Sequence, residues 1–126
     1  MSKHHGTVHW NELITSDVKK SVAYYTDLMG WTVDEMPMGD GNIYYLFKKG
    51  DDIICGAAPN GPEMGGAPDS WMTYLAVSDV DAAAAASTAA GGTILAPAFD
   101  VPGVGRIVML ADPTGAVLGL MTPADG

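Results

Sequence analysis

A predicted helix opens twice in this chain, at Asp17-Val-Lys-Lys-Ser21 and again at Asp79-Val-Asp-Ala-Ala83. Each opening follows a strand-like run with a tryptophan near its start, and each helix ends at glycine, Gly30 or Gly91. Strands and Gly-rich turns follow both helices. Self-similarity at a fixed spacing indicates a repeated supersecondary unit. The sequence therefore predicts an α+β fold of two strand-helix-strand-strand-strand (βαβββ) modules, whose concave sheets form a cavity for a small molecule.

The domain organisation follows from this repeat. The first module is predicted to span 7–59 and the second 71–122, within a single domain of 1–126. Residues 60–70 contain three glycines and two prolines, which is typical of a linker. Residues before Thr7 are interpreted as a polar tail, in which His4 and His5 are either native or remnants of a tag.

Composition excludes several classes of function. The net charge of −9 argues against nucleic acid or an anionic membrane as a partner. No apolar run approaches the roughly 20 residues of a membrane span, and no signal peptide is evident. The single cysteine, Cys55, excludes an internal disulfide and is interpreted as an apolar filler within a strand. These features together predict a cytoplasmic protein.

Local patterns predict the individual elements. Asp17 or Ser16 is expected to cap the first helix, whose apolar stripe comprises Val18, Val22, Tyr25, Leu28 and Met29. The helices are predicted at 17–30 and 79–90, and a loop at 97–105. Strands are predicted at 7–15, 31–36, 43–49, 53–58, 71–78, 93–96, 106–111 and 116–122, with turns at 39–42 and 112–115.

Three motifs in this order carry a family resemblance. They are Trp10-Asn-Glu-Leu13 with Asp17, Asp100-Val-Pro-Gly-Val-Gly-Arg106, and Ala111-Asp-Pro-Thr-Gly-Ala-Val-Leu-Gly-Leu120. Together with the repeated βαβββ pattern, the chain resembles the vicinal oxygen chelate superfamily over most of its length. That superfamily includes glyoxalase I, extradiol dioxygenases, fosfomycin resistance proteins and bleomycin-binding proteins.

The resemblance implies positions for a divalent metal ion. Enzymes of the superfamily hold the ion with side chains from the first and last strands of each module. By spacing and module symmetry, these positions correspond to Trp10, Met72 (or Thr73), Gly119 and a residue near Gly56. Indole and glycine supply no ligand atom, and a thioether suits the usual divalent ions poorly. His9 and Glu12 point to opposite faces of a strand, so they do not form a substitute site. No metal or other cofactor is predicted.

The same resemblance implies a ligand cavity on the face that carries Trp10 and Glu12. Either Tyr44 or Tyr45 is expected to contribute to it, and Tyr45 is favoured. Met109 and Met121 fit the cavity and the core equally well. Gly119 is expected to leave room where the metal enzymes carry a glutamate. The predicted ligand-binding residues are Trp10, Glu12, Tyr45, Met72, Tyr74, Arg106, Met109 and Gly119.

Two charged residues have alternative roles. Burial favours the neutral form of a carboxyl group, so Glu12 is a candidate general acid or base near neutral pH. Alternatively, Glu12 is structural and accepts hydrogen bonds from the backbone or a tyrosine, or pairs with Arg106. Arg106, the only arginine, either orients a ligand carboxylate or pairs with Asp100 or Asp112.

Three functions are compatible with these residues. The first is metal-free binding of a small aromatic or amphipathic metabolite or antibiotic. The second is an isomerase, lyase or hydrolase that uses Glu12 as acid or base. The third is a metal-dependent glyoxalase or dioxygenase, which the ligand positions disfavour. Members of this length resemble homodimers, so a twofold homodimer is expected.

Overall fold

A computed structural model describes residues 4–37, 43–62, 66–101 and 104–124. The first module contains β1 (Val8–Thr15), α1 (Val18–Met29), β2 (Thr32–Pro37), β3 (Ile43–Lys49) and β4 (Asp52–Pro59). The second contains β5 (Ser70–Ala76), α2 (Val80–Ala89), β6 (Thr93–Val101), β7 (Gly105–Ala111) and β8 (Val117–Pro123). The predicted α+β fold of two βαβββ modules is confirmed. The predicted turn at 39–42 lies outside the described residues.

Strand pairing is equivalent in the two modules. The first has the order β2-β3-β4-β1 and the second β6-β7-β8-β5. In each module the first strand pairs with the last in parallel, β1 with β4 and β5 with β8. The other pairs are antiparallel. A parallel pair needs a long crossover connection, which the helix and two intervening strands supply in both modules.

The chain divides into two compact units that do not coincide with the modules at every residue. One unit comprises Trp10–Gly61 and Ala67–Trp71, and the other comprises Met1–His9, Pro62–Gly66 and Met72–Gly126. In the first of these, Asp69 accepts hydrogen bonds from the backbone and hydroxyl of Ser16 at 3.0 and 2.8 Å. These bonds hold the end of the predicted linker against the turn between β1 and α1.

Helix α1 begins and ends as its sequence predicts. The Asp17 carboxylate accepts from the backbone N–H of Lys20 at 3.1 Å, which satisfies a donor of the first turn. Gly30 ends the helix with φ of 72°, a left-handed conformation that glycine adopts without a steric penalty. Val18, Val22 and Tyr25 pack on a core of five buried residues: Leu13, Tyr45, Phe47, Cys55 and Ala57.

The end of the α1 stripe was predicted incorrectly. Leu28 and Met29 are 59% and 53% exposed instead of buried, and Tyr24 on the same turns is 59% exposed. Tyr25, by contrast, packs on the core, and its hydroxyl accepts from the Trp71 indole N–H at 3.0 Å. The rings of Tyr25 and Trp71 meet edge to face. The last turn of α1 therefore presents apolar side chains to solvent.

The predicted loop from Pro97 was wrong. Strand β6 continues through Pro97 to Val101, although a loop was expected from Pro97 onward. Irregular register near Ala96 and the place of β6 at the end of its strand order make a residue without an N–H tolerable. Near the N-terminus, the Nδ1 of His5 accepts from the backbone N–H of Ser78 at 2.9 Å.

Helix α2 packs closely, as its alanines predict. Asp79 caps it through the N–H of Ala82 at 3.1 Å. Val80 of the helix joins a buried core with Val77, Val108 and Leu110, and Ala83 and Ala84 pack against this core. No described helix has both the length and the apolarity that a membrane crossing requires.

Candidate functional site

Three polar side chains meet on one face of the first module. The Tyr44 hydroxyl donates to Oε2 of Glu12 at 2.6 Å, and the Trp10 indole N–H donates to the Tyr44 oxygen at 3.0 Å. Glu12 is 9% exposed, whereas Trp10 and Tyr44 are partly exposed. We refer to these three residues as the Trp10–Tyr44–Glu12 network.

Strand geometry places the three side chains together. Trp10 and Glu12 are two residues apart on β1, so they share a face. Glu12 pairs with Gly56 of β4, and Gly56 pairs with Leu46 of β3. A Cβ atom at Gly56 would overlap the hydroxyl end of Tyr44. The absence of a side chain at Gly56 therefore lets the Tyr44 phenol reach Glu12.

The network stabilises a neutral phenol next to a carboxylate. Burial raises the pKa of Tyr44 far above its usual range, and the negative charge of Glu12 and the hydrogen bond to it raise this pKa further. Tyr44 thus stays a proton donor at physiological pH, and it donates to Glu12 at 2.6 Å. The contact from a tyrosine is the one anticipated in the structural alternative for Glu12.

Tyr45, which the sequence favoured, does not lie on the face that carries Trp10 and Glu12. It is 8% exposed and belongs to the core beneath α1, with Leu13 and Phe47. Its strand neighbour Tyr44 points the opposite way, because successive side chains of a strand alternate between faces. Tyr44, which the sequence identified only as the alternative, is the tyrosine that contacts Trp10 and Glu12.

The corresponding face of the second module is apolar. Tyr74 is 3% exposed and its hydroxyl lies 3.8 Å from the sulfur of Met109. Met72, Met109 and Met121 are all buried, with 1%, 5% and 3% exposure. Tyr74 pairs with Gly119. The Tyr74 ring covers that glycine so closely that a Cβ there would overlap it. The prediction that Gly119 leaves an open space was wrong, because the ring fills it.

Arg106 lies neither on the face of the first module that carries Trp10 and Glu12 nor on the face of the second that carries Tyr74 and Met109. Its Nε and one terminal nitrogen donate to Asp81 at 2.9 and 3.1 Å, and its other terminal nitrogen lies 3.2 Å from Asp100. The expected pair with Asp100 is confirmed, and Asp81 takes the place expected for Asp112. Asp112 instead accepts from the backbone and hydroxyl of Thr114. Arg106 therefore pairs with carboxylates, which is the second of the two roles expected for it.

The residues at the superfamily's metal positions do not fit a divalent ion. Trp10 uses its only polar hydrogen on Tyr44, Met72 is a buried thioether, and aromatic rings cover Gly56 and Gly119. Within residues 4–37, 43–62, 66–101 and 104–124, no three His, Cys, Asp or Glu side chains cluster as a metal site would require. Glu12 is the one carboxylate within the Trp10–Tyr44–Glu12 network, and one carboxylate does not hold such an ion alone.

Two open cavities lie elsewhere in the first module. They measure about 340 and 300 Å³, and both are lined by Lys19 of α1 and by Ile43 and Tyr45 of β3. Neither is lined by Trp10 or Glu12. Both are open to solvent, and Lys19 lies in each of them together with one carboxylate, Glu35 or Asp17. The side chains of the Trp10–Tyr44–Glu12 network are joined directly by hydrogen bonds, as the polar groups of a ligand site often are.

Comparison with known proteins identifies the family. The family model described as Glyoxalase/Bleomycin resistance protein/Dioxygenase superfamily matches residues 7–120. The chain belongs to this superfamily. The resemblance seen in the sequence is thereby confirmed, and this chain is a glyoxalase-like member.

Curated relatives of this superfamily member are about twice as long. A Mycobacterium tuberculosis protein named "Putative glyoxylase CFP32" is 40% identical over 119 residues, which cover 94% of this chain and 45% of that protein. The anthracycline biosynthesis protein DauV of Streptomyces sp. (strain C5) is 31% identical over 127 residues, covering 91% and 46%. The chain therefore spans less than half of the length of these relatives.

Solved structures share the fold at low identity. A methylmalonyl-CoA epimerase from Mycobacterium tuberculosis has a TM-score of 0.64 and 16% identity, covering 98% of this chain and 93% of that one. The H200Q variant of homoprotocatechuate 2,3-dioxygenase from B. fuscum has a TM-score of 0.62 and 18% identity, covering 97% and 34%. At these identities the likeness shows the fold of the superfamily and not a reaction.

Proposed function

We propose that this glyoxalase-like protein binds a small aromatic or amphipathic metabolite or antibiotic without a metal ion, using the face that carries Trp10, Glu12 and Tyr44. The Trp10–Tyr44–Glu12 network is the observation that carries this proposal. It combines two partly exposed aromatic side chains with a buried carboxylate at fixed distances of 3.0 and 2.6 Å. Apolar walls with a few placed polar groups are the usual composition of a small-molecule site.

The side chains at the metal positions support a metal-free site. Members of the superfamily that use a metal need oxygen or nitrogen ligands there, and this chain has indole, thioether and glycine. The names of two relatives support an aromatic ligand. The proteins called DauV and DnrV are assigned to the biosynthesis of anthracyclines, which are polycyclic aromatic compounds. Trp10 and Tyr44 would pack favourably against such rings.

Elemental analysis and binding measurements test the proposal together. Purified chain without an affinity tag should contain no stoichiometric divalent ion, and an anthracycline aglycone should raise its melting temperature equally with and without EDTA. Trp10→Ala should abolish that shift, whereas Trp71→Ala, which removes a tryptophan packed on Tyr25, should retain it. A stoichiometric metal ion, or binding that EDTA removes, would contradict the metal-free proposal.

A second candidate function is catalysis of proton transfer, as in an isomerase, lyase or hydrolase. The observation that favours it is the Glu12 carboxylate, which is 9% exposed and oriented by Tyr44. A positioned carboxylate of this kind can remove a proton from a bound substrate. Product analysis of any ligand found by thermal shift distinguishes the two functions. A ligand recovered unchanged supports binding alone, and conversion that Glu12→Gln abolishes supports catalysis.

We also expect a twofold homodimer. The side chains of Tyr24, Leu28 and Met29 on the last turns of α1 are each more than half exposed. Burying such a helix surface against its symmetry mate would remove apolar area from water. Light scattering at micromolar concentration should give twice the mass of the chain, and a monomer under these conditions would contradict the expectation.

A further inference from the structure

We infer that Lys48 anchors an anionic group of the ligand, so that the site prefers aromatic molecules that carry a carboxylate or a similar anion. This inference rests on the proposed small-molecule function and specifies the class of ligand. Its basis is the position of Lys48 on the face that carries Trp10, Glu12 and Tyr44.

Strand register places Lys48 on that face. The whole of β2 pairs with β3 in one continuous register, so Tyr44, Leu46 and Lys48 point to the same side of the sheet. The ion pair of Lys48 agrees with this placement, because its partner Asp34 pairs with Leu46 and lies 3.3 Å from the Lys48 ammonium. We refer to Tyr44, Leu46 and Lys48 as the β3 row.

The neighbouring lysines of the first module lie on the other side of the sheet. Lys19 and Lys20 belong to α1, which packs on that side. Lys49 follows Lys48 on β3 and points away from the β3 row, because successive side chains of a strand alternate between faces. In a chain with a net charge of −9, Lys48 therefore supplies local positive charge at the candidate site.

The β3 row joins this cation to an apolar surface. Trp10, Tyr44 and Leu46 are partly exposed, and Met36, which pairs with Tyr44, is 38% exposed. The strand rises about 13 Å from Tyr44 to Lys48, so a small fused-ring molecule can contact both ends of the row. Aromatic and apolar side chains with one charged group are a usual composition for a ligand site.

The ion pair with Asp34 directs the Lys48 ammonium toward this surface. Asp34 lies opposite Leu46, which is closer to Tyr44 than Lys48 is. The side chains of Lys48 and Asp34 are 25% and 61% exposed, and ion pairs in contact with solvent are weak. An ammonium on a flexible stem has several N–H donors, so Lys48 can bind a ligand anion in addition to Asp34 or in its place.

Glu12 is too far from Lys48 to determine which group binds there. Glu12 pairs with Gly56, and Gly56 pairs with Leu46, so about 10 Å of sheet separates the backbones of Glu12 and Leu46. Lys48 lies further along β3. This separation reaches the Debye length of about 10 Å at 0.1 M salt. A ligand anion at Lys48 is therefore held whether or not Glu12 is charged.

The ligand that fits this arrangement has an aromatic body and an anionic end. Its rings would pack on Leu46 and Tyr44 beside the Trp10 indole, and its carboxylate would form a charge-assisted hydrogen bond with Lys48. A neutral ligand would gain the packing alone. A cationic ligand would be repelled by the ammonium.

Three probes with one ring system test the preference. 2-Naphthoate carries an anion, 2-naphthamide is its neutral analogue, and 2-(aminomethyl)naphthalene carries a cation. The wild-type chain should bind 2-naphthoate about tenfold more tightly than either of the others, measured by titration calorimetry at neutral pH and low salt. The preference should shrink as sodium chloride is added, because salt screens the charge of Lys48.

Three variants locate the preference at Lys48. Lys48→Gln should lose the preference for 2-naphthoate over 2-naphthamide. Asp34→Asn removes the competing carboxylate and should bind 2-naphthoate about threefold more tightly than the wild-type chain does. Lys49→Gln is the matched control, because it removes the same charge from the other side of the strand, and it should keep the wild-type ranking. Thermal unfolding of each variant checks that it is folded.

The outcomes separate the anionic anchor from the proposed function. Equal binding of the three probes, tightest binding of another probe, or a preference that survives Lys48→Gln overturns the anchor and leaves small-molecule binding standing. A preference that Lys49→Gln also removes has the same consequence, because it would reflect overall charge. If the wild-type chain binds an anthracycline aglycone but none of the probes, the anchor alone is overturned. If it binds neither, both proposals are overturned.

Discussion

Each module has a glycine at the equivalent position of its strand pairing, and a different kind of side chain covers each glycine. Glu12 pairs with Gly56 in the first module, and Tyr74 pairs with Gly119 in the second. Above Gly56 lies the hydroxyl end of Tyr44, which comes from another strand and ends a polar network. Above Gly119 lies the Tyr74 ring, which comes from the paired residue itself and contacts a thioether.

This difference shows how one repeated unit can specialise. In both modules an aromatic side chain occupies the space that a metal-binding side chain would need. In the first module the aromatic residue brings a hydroxyl to a buried carboxylate, which creates a polar site. In the second module it brings an apolar ring to methionines, which creates core-like packing. The backbone framework is shared, and the residues above the two glycines determine the chemistry of each face.

The largest effect is expected from adding a methyl group in the second module. Gly119→Ala would place a Cβ against the body of the Tyr74 ring, which cannot move without disturbing buried neighbours. We expect a loss of about 3 kcal/mol in the free energy of unfolding, measured by urea denaturation. Gly56→Ala should cost less, because the overlapping atoms are the far end of the Tyr44 side chain. Equal losses at the two glycines would contradict the proposed difference between the faces.

The next largest effect tests the polar network of the first module. Tyr44→Phe removes the hydroxyl that joins Trp10 to Glu12, so the buried Glu12 side chain loses a hydrogen-bond donor. We expect the free energy of unfolding to fall by about 2 kcal/mol. The neighbouring variant Tyr45→Phe is the control and should change stability by less than about 0.5 kcal/mol. If the two variants are equally stable, the network does not stabilise the first module.

A smaller effect should appear only at alkaline pH. The pKa of Tyr44 in the folded chain is raised above its usual value of about 10, mainly by burial. Its contribution is therefore fully present below pH 10 and is lost as the pH rises further, because the unfolded phenol ionises while the folded phenol does not. The wild-type chain should lose more stability than Tyr44→Phe between pH 9 and 11. A parallel decline in both proteins, followed by circular dichroism, would refute this assignment.

The smallest effect is expected at the ion cluster of the second module. Arg106, Asp81 and Asp100 are all substantially exposed, and exposed pairs contribute little to stability. Arg106→Gln should lower the melting temperature less than Tyr44→Phe does. It should also leave the binding of an anthracycline aglycone unchanged, because Arg106 contacts none of the three residues of the network. Weaker binding in this variant would show that Arg106 contributes to the ligand site.

The fold was largely predictable because its signals are local. The cap at Asp17, the left-handed Gly30 and the turn at Asp112 act within a few residues, and the structure confirms each of them. The extension of β6 through Pro97 was not predictable in the same way. Whether a strand tolerates proline depends on its place in the sheet, which is a non-local property.

The candidate site was less predictable because of one register shift. The run from Ile43 to Phe47 is apolar throughout, so it gives no alternation by which to assign faces. An unbroken hairpin beginning with the observed pair Lys49 and Asp52 would pair Tyr45 with Gly56. A bulge between Phe47 and Lys48 moves the register by one residue, so that Tyr45 pairs with Ala57 instead. A shift of one residue exchanges the two faces of a strand, and Tyr44 thereby reaches Glu12.

The buried Cys55 allows the rate at which the core of the first module opens to be measured directly. It is the only thiol in the chain, it is 6% exposed, and burial raises its pKa, so it reacts slowly while the core is closed. A chromogenic disulfide reagent would modify it only when that core transiently separates. The modification rate would then report the opening frequency of the layer between α1 and its strands, with no engineered label.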